Sequence, residues 1–198
     1  MDIYLVKDVQ CIDEVVDIHM KTFTGFFLTF LGRGFLKQLY RGFVDHEKSG
    51  LIIAQEDGKV LGFCAFSEDL SGFYKYLIKK RLIYFAWYAL GAFFRKPKVL
   101  FRLLRAFTYS SESKREEKYI ELSSIGVLPE AKNKGAGSGM IQYLYNICNK
   151  DMFSYIKLET DKENNDIVNC FYKKNGFVLD HSYETPEGRK MNEYRYYL

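Results

Sequence analysis

The chain has 198 residues, 47% of them hydrophobic and 27% charged, with a net charge of +4. That balance excludes a disordered or fibrous chain and fits one globular domain with a substantial core. The longest uncharged run in its apolar middle covers 13 residues, 82–94, well short of the roughly 20 that a spanning helix needs.

No basic stretch followed by an apolar one opens the chain, so a secretory leader is not expected. Four cysteines, Cys11, Cys64, Cys148 and Cys170, lack C-x-x-C spacing. They read as small core side chains in a reduced, cytoplasmic setting, with no metal site and no disulfide framework.

In chain order, residues 3–6 read as a short strand. Ile12, Val15, Val16, His19, Met20 and Phe23 recur at helical spacing. A second helical pattern runs from Phe27 to near His46, interrupted by Gly32 and Gly34. Residues 51–54 and 60–66 flank Glu56-Asp57-Gly58-Lys59, a strong hairpin signal.

Residues 71–107 then hold nine Lys or Arg, no acid, and eleven aromatics, so the basic character of the chain belongs to this segment. Beyond Pro97, Lys98, Arg102 and Arg105 share one helical face opposite Leu100, Leu103, Leu104 and Phe107. A polar linker leads to a strand, Tyr119–Val127. A glycine loop, a helix (Met140, Ile141, Leu144), a strand (155–160), a helix (165–174) and two closing strands follow. This order predicts an α/β fold with one mixed sheet, because hairpins and βαβ crossovers are combined. The whole chain, 1–198, reads as a single domain that includes the insert at 71–107.

The stretch most informative for chemistry joins the strand ending at Val127 to the next helix. It carries Lys132, Asn133, Lys134, Gly135, Ala136, Gly137 and Ser138, with no acid after Glu130. Free amides at a helix N-terminus bind phosphate oxygens, and glycines let those oxygens come close. A plain strand-to-helix turn is the alternative. The loop is neither a Walker loop nor a G-x-G-x-x-G fingerprint.

Val-x-Pro, five residues and Gly-x-Gly (Val127 to Gly137) resemble the acyl-CoA motif of the GNAT superfamily of N-acyltransferases. Asn165, Phe171-Tyr172 and Gly176-Phe177 resemble the second motif of that family. The resemblance covers residues 50–67 and 119–183 well and residues 1–48 loosely. Two departures are Lys132, where Arg or Gln is commoner, and Val168, where Ala is frequent.

What the resemblance implies is a GNAT-type sheet splayed between its fourth and fifth strands, flanked by helices, with a helical insert between the third and fourth strands. Acetyl-CoA would lie in the splay, with its pantetheine arm paired to the backbone of Ile125 and Val127. Amides from Lys132 to Ser138 would hold the pyrophosphate, and Asn165 would help fix the cofactor. Tyr172 would protonate the departing thiolate, being neutral below its usual pKa of about 10; a core tyrosine is the other reading. Glu121 resembles the general base of the histone-type branch, although alternation does not settle which face it takes. His19 and His46 are alternative bases.

The implied function is N-acetyl transfer by direct attack in a ternary complex onto a small-molecule amine, an amino sugar being one class. A non-catalytic CoA-binding or membrane-docking module is the alternative. For residues 71–107, a helical cap, a surface for an anionic or nucleotide-linked acceptor, and a contact with an anionic membrane surface all stay open. No nucleic acid is expected, because residues 82–94 interrupt the basic positions. The oligomeric state is not legible.

Overall fold

The computed structural model describes residues 1–95 and 118–198, and the side chains within them apart from 86 and 88–95. The first half comprises β1 (Asp2–Leu5), α1 (Ile12–Thr22), α2 (Phe27–Leu31), α3 (Arg33–Asp45), β2 (Ser49–Glu56), β3 (Lys59–Ser67) and α4 (Leu70–Arg95). The second comprises β4 (Tyr119–Val127), a 3-10 turn (Pro129–Ala131), α5 (Ala136–Ile147), β5 (Tyr155–Asp161), α6 (Asp166–Lys174), β6 (Val178–Glu184) and β7 (Lys190–Tyr197). The predicted amphipathic piece with Lys98, Arg102 and Arg105, and most of the polar linker, lie outside the described residues.

Among the described residues, seven strands form one sheet in the order β1-β2-β3-β4-β5-β7-β6. Every neighbouring pair is antiparallel except β4 and β5. The β2–β3 hairpin closes as expected through Asp57 and Gly58, both at positive φ (51° and 78°), the handedness a two-residue turn between twisted strands requires. The predicted helix after Phe27 is instead two. Gly32, at φ 89°, ends α2 and starts α3.

Helices cover both faces. On one, α1, α3 and α4 bury Val15, Val16, Phe35, Leu36, Phe73 and Leu77 against Ile53 and Phe63. On the other, α5 and α6 bury Met140, Leu144 and Tyr172 against Cys64, Ile120, Ile156 and Tyr194. Cys64 and Cys148 are core residues as predicted. Cys11 is only half-buried and Cys170 is exposed, because Cys170 lies on the outer side of α6.

The start of the insert belongs to the core. Asp69 accepts the Gly72 amide (2.8 Å) and so caps α4. Phe73 stacks on Phe43 at 4.2 Å between centroids, and Phe85 meets Phe35 at 4.6 Å. Arg81, one of the basic residues, reaches Gln38 Oε1 at 2.5 Å and pairs with Asp45. Burying Phe73 and Leu77 completely contributes about 2 kcal/mol each.

Candidate active site

The central feature is where β4 and β5 part. Their parallel ladder has three rungs, Tyr119↔Tyr155, Ile120↔Ile156 and Glu121↔Lys157, although β4 runs six residues further and β5 four. Both strands stay tied on their outer sides. Leu128 N donates to Leu61 O (2.8 Å), and bonded pairs alternate along an antiparallel ladder. Gly126 and Ser124 therefore continue the bonding to β3, while Ile125 and Val127 turn their amides and carbonyls toward the gap. On β5, the bonds Leu198 N to Ser154 O (3.1 Å) and Lys162 N to Lys190 O (2.9 Å) set the same alternation. Glu159 and Asp161 thus turn their backbone groups into the gap.

At the C-terminal end of β4 the chain turns through Asn133 (φ 65°) and Gly135 (φ 85°) into α5. Asn tolerates the left-handed region and Gly favours it. Ala136, Gly137 and Ser138 form the first turn of α5, where amides have no acceptor within the helix. Space around Gly135 is open: a Cβ there would meet nothing within 4 Å. Lys132 is exposed, and Lys134 Nζ lies 3.5 Å from Glu56 at the hairpin tip. This is a cradle of amides with positive charge at its rim, suited to a phosphate group. Gly137 has a different reason to be glycine. A Cβ there would sit 3.0 Å from the Phe171 ring, so its smallness lets α5 and α6 approach.

Tyr172 comes from α6 and is buried beside Phe177 and Tyr194, with ring centroids at 5.7 and 6.1 Å. Burial, with a smaller contribution from the Cys64 thiol, pushes its phenol well above the usual tyrosine range. Cys64 is the β3 partner of Ile125, so Tyr172 stands beside the lip of the gap on the α5/α6 face. Asn165 precedes α6 and donates to Thr160 Oγ1 (2.8 Å) and Asp161 O (3.0 Å). Its neighbour one turn on, Asn169, is the busier residue. It donates to Asp161 O and Asn165 O (3.0 and 2.9 Å) and accepts from Asn192 and Tyr194 (both 3.0 Å). The sequence reading missed it, although an Asn pair at i and i+4 on one helix face was visible. Val168 lies on the solvent side of α6.

Glu121 takes the opposite face. Ile120 and Leu122 pack toward α5 and α6, and Glu121 is buried beneath α4, close enough to raise the Tyr74 pKa. An extra residue, Ser123, is inserted where Ala65 pairs with Ser124 and Phe66 with Leu122. This bulge puts Ser124 on the same face as Glu121.

One ammonium serves several carboxylates there. Lys157 Nζ lies 2.8 Å from Glu159, 3.4 Å from Glu121 and 3.7 Å from Glu193. Glu193 is also met by Arg195 at 3.1 Å. Burial opposes the charge on Lys157, but Glu121 and Glu159 outweigh it and hold its pKa above the usual range. Glu121 is the worst served, and its Oε2 makes no hydrogen bond. Burial pushes its pKa up to about 7, against the pull of Lys157. The position of Lys157 was not anticipated; the polar alternation of Lys157 and Glu159 between Ile156 and Leu158 was the available signal.

Beside this group, His19 Nδ1 lies 2.6 Å from the Tyr40 hydroxyl, which is 3.4 Å from Ser124 Oγ. Burial lowers the His19 pKa to about 4, so it is neutral and a poor proton acceptor. His46 bonds Ser49 at 2.8 Å, two strands away from Glu121. Asp180, His181 and Glu193 gather ligand-type atoms within 4.8 Å, but Arg195 already supplies a cation there, 3.0 Å from Asp180.

A mixed sheet that opens after three rungs, with an open glycine turn at its mouth, is suited to an extended ligand that carries phosphate. The family model described as Acetyltransferase (GNAT) family matches residues 12–177, and the chain belongs to that family. It is thus a GNAT-family acetyltransferase. No curated protein matches the sequence.

Solved structures match the fold at low identity. A Desulfovibrio desulfuricans protein described as an acetyltransferase of the GNAT family has TM-score 0.65 at 14% identity, covering 99% of this chain and 98% of that one. The ribosomal-protein-S18-alanine N-acetyltransferase from Escherichia coli has TM-score 0.59 at 13% identity, over 99% and 92%. A Bacillus anthracis protein described as a streptothricin acetyltransferase, in complex with acetyl coenzyme A, has TM-score 0.52 at 14%, over 80% and 68%.

Proposed function

We propose that the protein transfers the acetyl group of acetyl-CoA directly to a primary amine of a small-molecule acceptor in a ternary complex. The observation that carries this reading is the gap beyond the Glu121↔Lys157 rung, with Tyr172 on one face of the sheet and Glu121 on the other. The residues present fit the donor. Ile125 and Val127 offer the gap an unpaired strand edge, and the open left-handed turn at Gly135 leads into free helix amides.

Bound there, acetyl-CoA supplies a thioester whose carbonyl carbon is the electrophile. Ile125 and Val127 pair with the amide-bearing arm as an added strand would. Amides of Asn133, Gly135, Ala136, Gly137 and Ser138 hold the pyrophosphate; those of Lys132 and Lys134, expected to join them, already donate to Pro129 O and Ala131 O (both 3.3 Å), so these two residues serve as screening charges. Asn165, tied to the end of β5, fixes the near wall. Glu121 takes a proton from the acceptor ammonium through water, and a carboxylate with pKa about 7 is matched to that task. The amine nitrogen then bonds to the carbonyl carbon and gives up its second proton to the same water, the C–S bond breaks, and the phenol of Tyr172 gives its proton to the sulfur and regains one from solvent.

Glu121 and Glu159 share the one Lys157 ammonium beside the gap, an excess of negative charge that favours a cationic amine. The Ser124 hydroxyl could meet a hydroxyl-bearing acceptor, so amino sugars are the first class to test. A thiol-release assay over a panel of primary amines, with the amide product checked by mass, tests the reading. Acceptor-dependent release is expected. Tight acetyl-CoA binding without release to any amine, or release that leaves a covalent acetyl-protein, would overturn it.

A further inference from the structure

Helix α4 carries two stripes of residues spaced by four, and they have opposite fates. Phe73, Leu77, Arg81 and Phe85 turn inward against α3, and both Phe73 and Leu77 are fully buried. Lys75, Lys79, Ile83 and Trp87 turn outward, and all four are exposed. Ile83 is 84% exposed, Trp87 74%, and the adjoining Leu82 55%. Large apolar side chains grouped this openly on one stretch of helix mark a surface that meets something else.

The charge on the same surface says what that is. Lys75, Lys79 and the exposed Lys80 precede the apolar group, and no Asp or Glu occurs from Leu70 to Arg95. A cationic surface next to exposed Ile, Leu and Trp is the pattern of a helix lying in the interface of an anionic bilayer. Insertion is shallow on this view, since no described helix is long and apolar enough to cross a membrane.

We infer that the outward face of α4, formed by Lys75, Lys79, Leu82, Ile83 and Trp87, docks the protein on an anionic lipid surface. The lysines approach the headgroups, while Ile83, Leu82 and Trp87 enter the boundary with the acyl chains. The first turns of the same helix hold Tyr74, close to Glu121 and Glu159. Docking would therefore set the Glu121 side of the sheet near the lipid surface.

Trp87 is the single tryptophan in the chain, so its fluorescence reports on this face directly and without any acetyl-transfer readout. The full chain is titrated with vesicles of phosphatidylglycerol and phosphatidylcholine, and with phosphatidylcholine alone. Mixed vesicles should shift the emission to shorter wavelength and carry the protein into the pellet; neutral vesicles should do neither. Lys75→Glu with Lys79→Glu should weaken partitioning at least tenfold, as should Ile83→Ser, in proteins whose thermal unfolding matches the parent. Added salt should weaken it too, because the Debye length is about 8 Å at physiological ionic strength. An emission unmoved by anionic vesicles, equal binding to neutral ones, or parental binding by the lysine variant would overturn the inference. A shift that grows with protein concentration in the absence of lipid would also overturn it, identifying a second copy as the occupant.

Discussion

Glu121 and Lys157 face one another on the last rung of the parallel ladder, with Oε2 and Nζ 3.4 Å apart, and immediately beyond them the sheet opens. The carboxylate is thus held at the floor of the gap by an ammonium it shares with Glu159. It is anchored there without being fully neutralised.

From that pairing follows a pH dependence. The Glu121 pKa is raised from 4.5 to about 7 by burial, so kcat/KM should rise as pH increases through 7, where the carboxylate loses its proton. Glu121→Gln should abolish that limb and lower the rate at pH 8 by about 100-fold. Stability has the opposite sign. A raised carboxyl pKa means the folded state binds more protons between pH 4.5 and 7, so the Glu121 contribution to stability falls by about 3 kcal/mol across that window, against an opposite contribution from His19, whose pKa is lowered to about 4. Urea titrations at several pH values should show the parent losing stability relative to Glu121→Gln as pH rises through this window, the His19 contribution cancelling in the difference.

Tyr172→Phe should reduce kcat by about 100-fold and leave acetyl-CoA affinity almost unchanged, as expected for a proton donated only as the C–S bond breaks. Single-turnover kinetics with calorimetry separates this from a packing role, which would move affinity or unfolding temperature and spare kcat.

Two glycines of the cradle should respond differently. Gly135→Val forces a β-branched residue into the left-handed region (φ 85°) and misdirects the amides around it. Acetyl-CoA binding should weaken at least tenfold, about 1.4 kcal/mol, in a folded protein. Gly137→Val instead drives Cβ into the Phe171 ring and should act first on stability, by about 2 kcal/mol. Paired calorimetry and thermal unfolding on the two variants checks this division.

The first turns of α4 should behave as core. Leu77 is fully buried, and a Cβ on Gly42 would come within 2.3 Å of its Cδ2, so the two helices are in close contact. Leu77→Ala should cost about 3 kcal/mol, measured by denaturant unfolding. A cost below about 1 kcal/mol, the size of a typical surface change, would make this helix an appendage.

The sequence alone determined the mixed sheet, its element order and the position of the cradle, because these rest on local rules. Alternation marks strands, 3.6-residue spacing marks helices, and Asp57-Gly58 or Gly135 mark places where the backbone must turn left-handed. Asn165, Tyr172 and the loop amides were named instead through the resemblance of two short motifs to those of the GNAT family, not through any local rule. Tertiary structure alone decided which face Glu121 takes, since the bulge at Ser123 and the register with Lys157 involve strands more than thirty residues apart. It also decided that Asn169 ties α6 to β5 and β7, and that Gly137 serves helix packing. In the insert it separated Phe73 and Leu77, which enter the core, from Ile83 and Trp87, which do not. Composition sees these four as equally apolar; only the position of α3 against one side of α4 tells them apart.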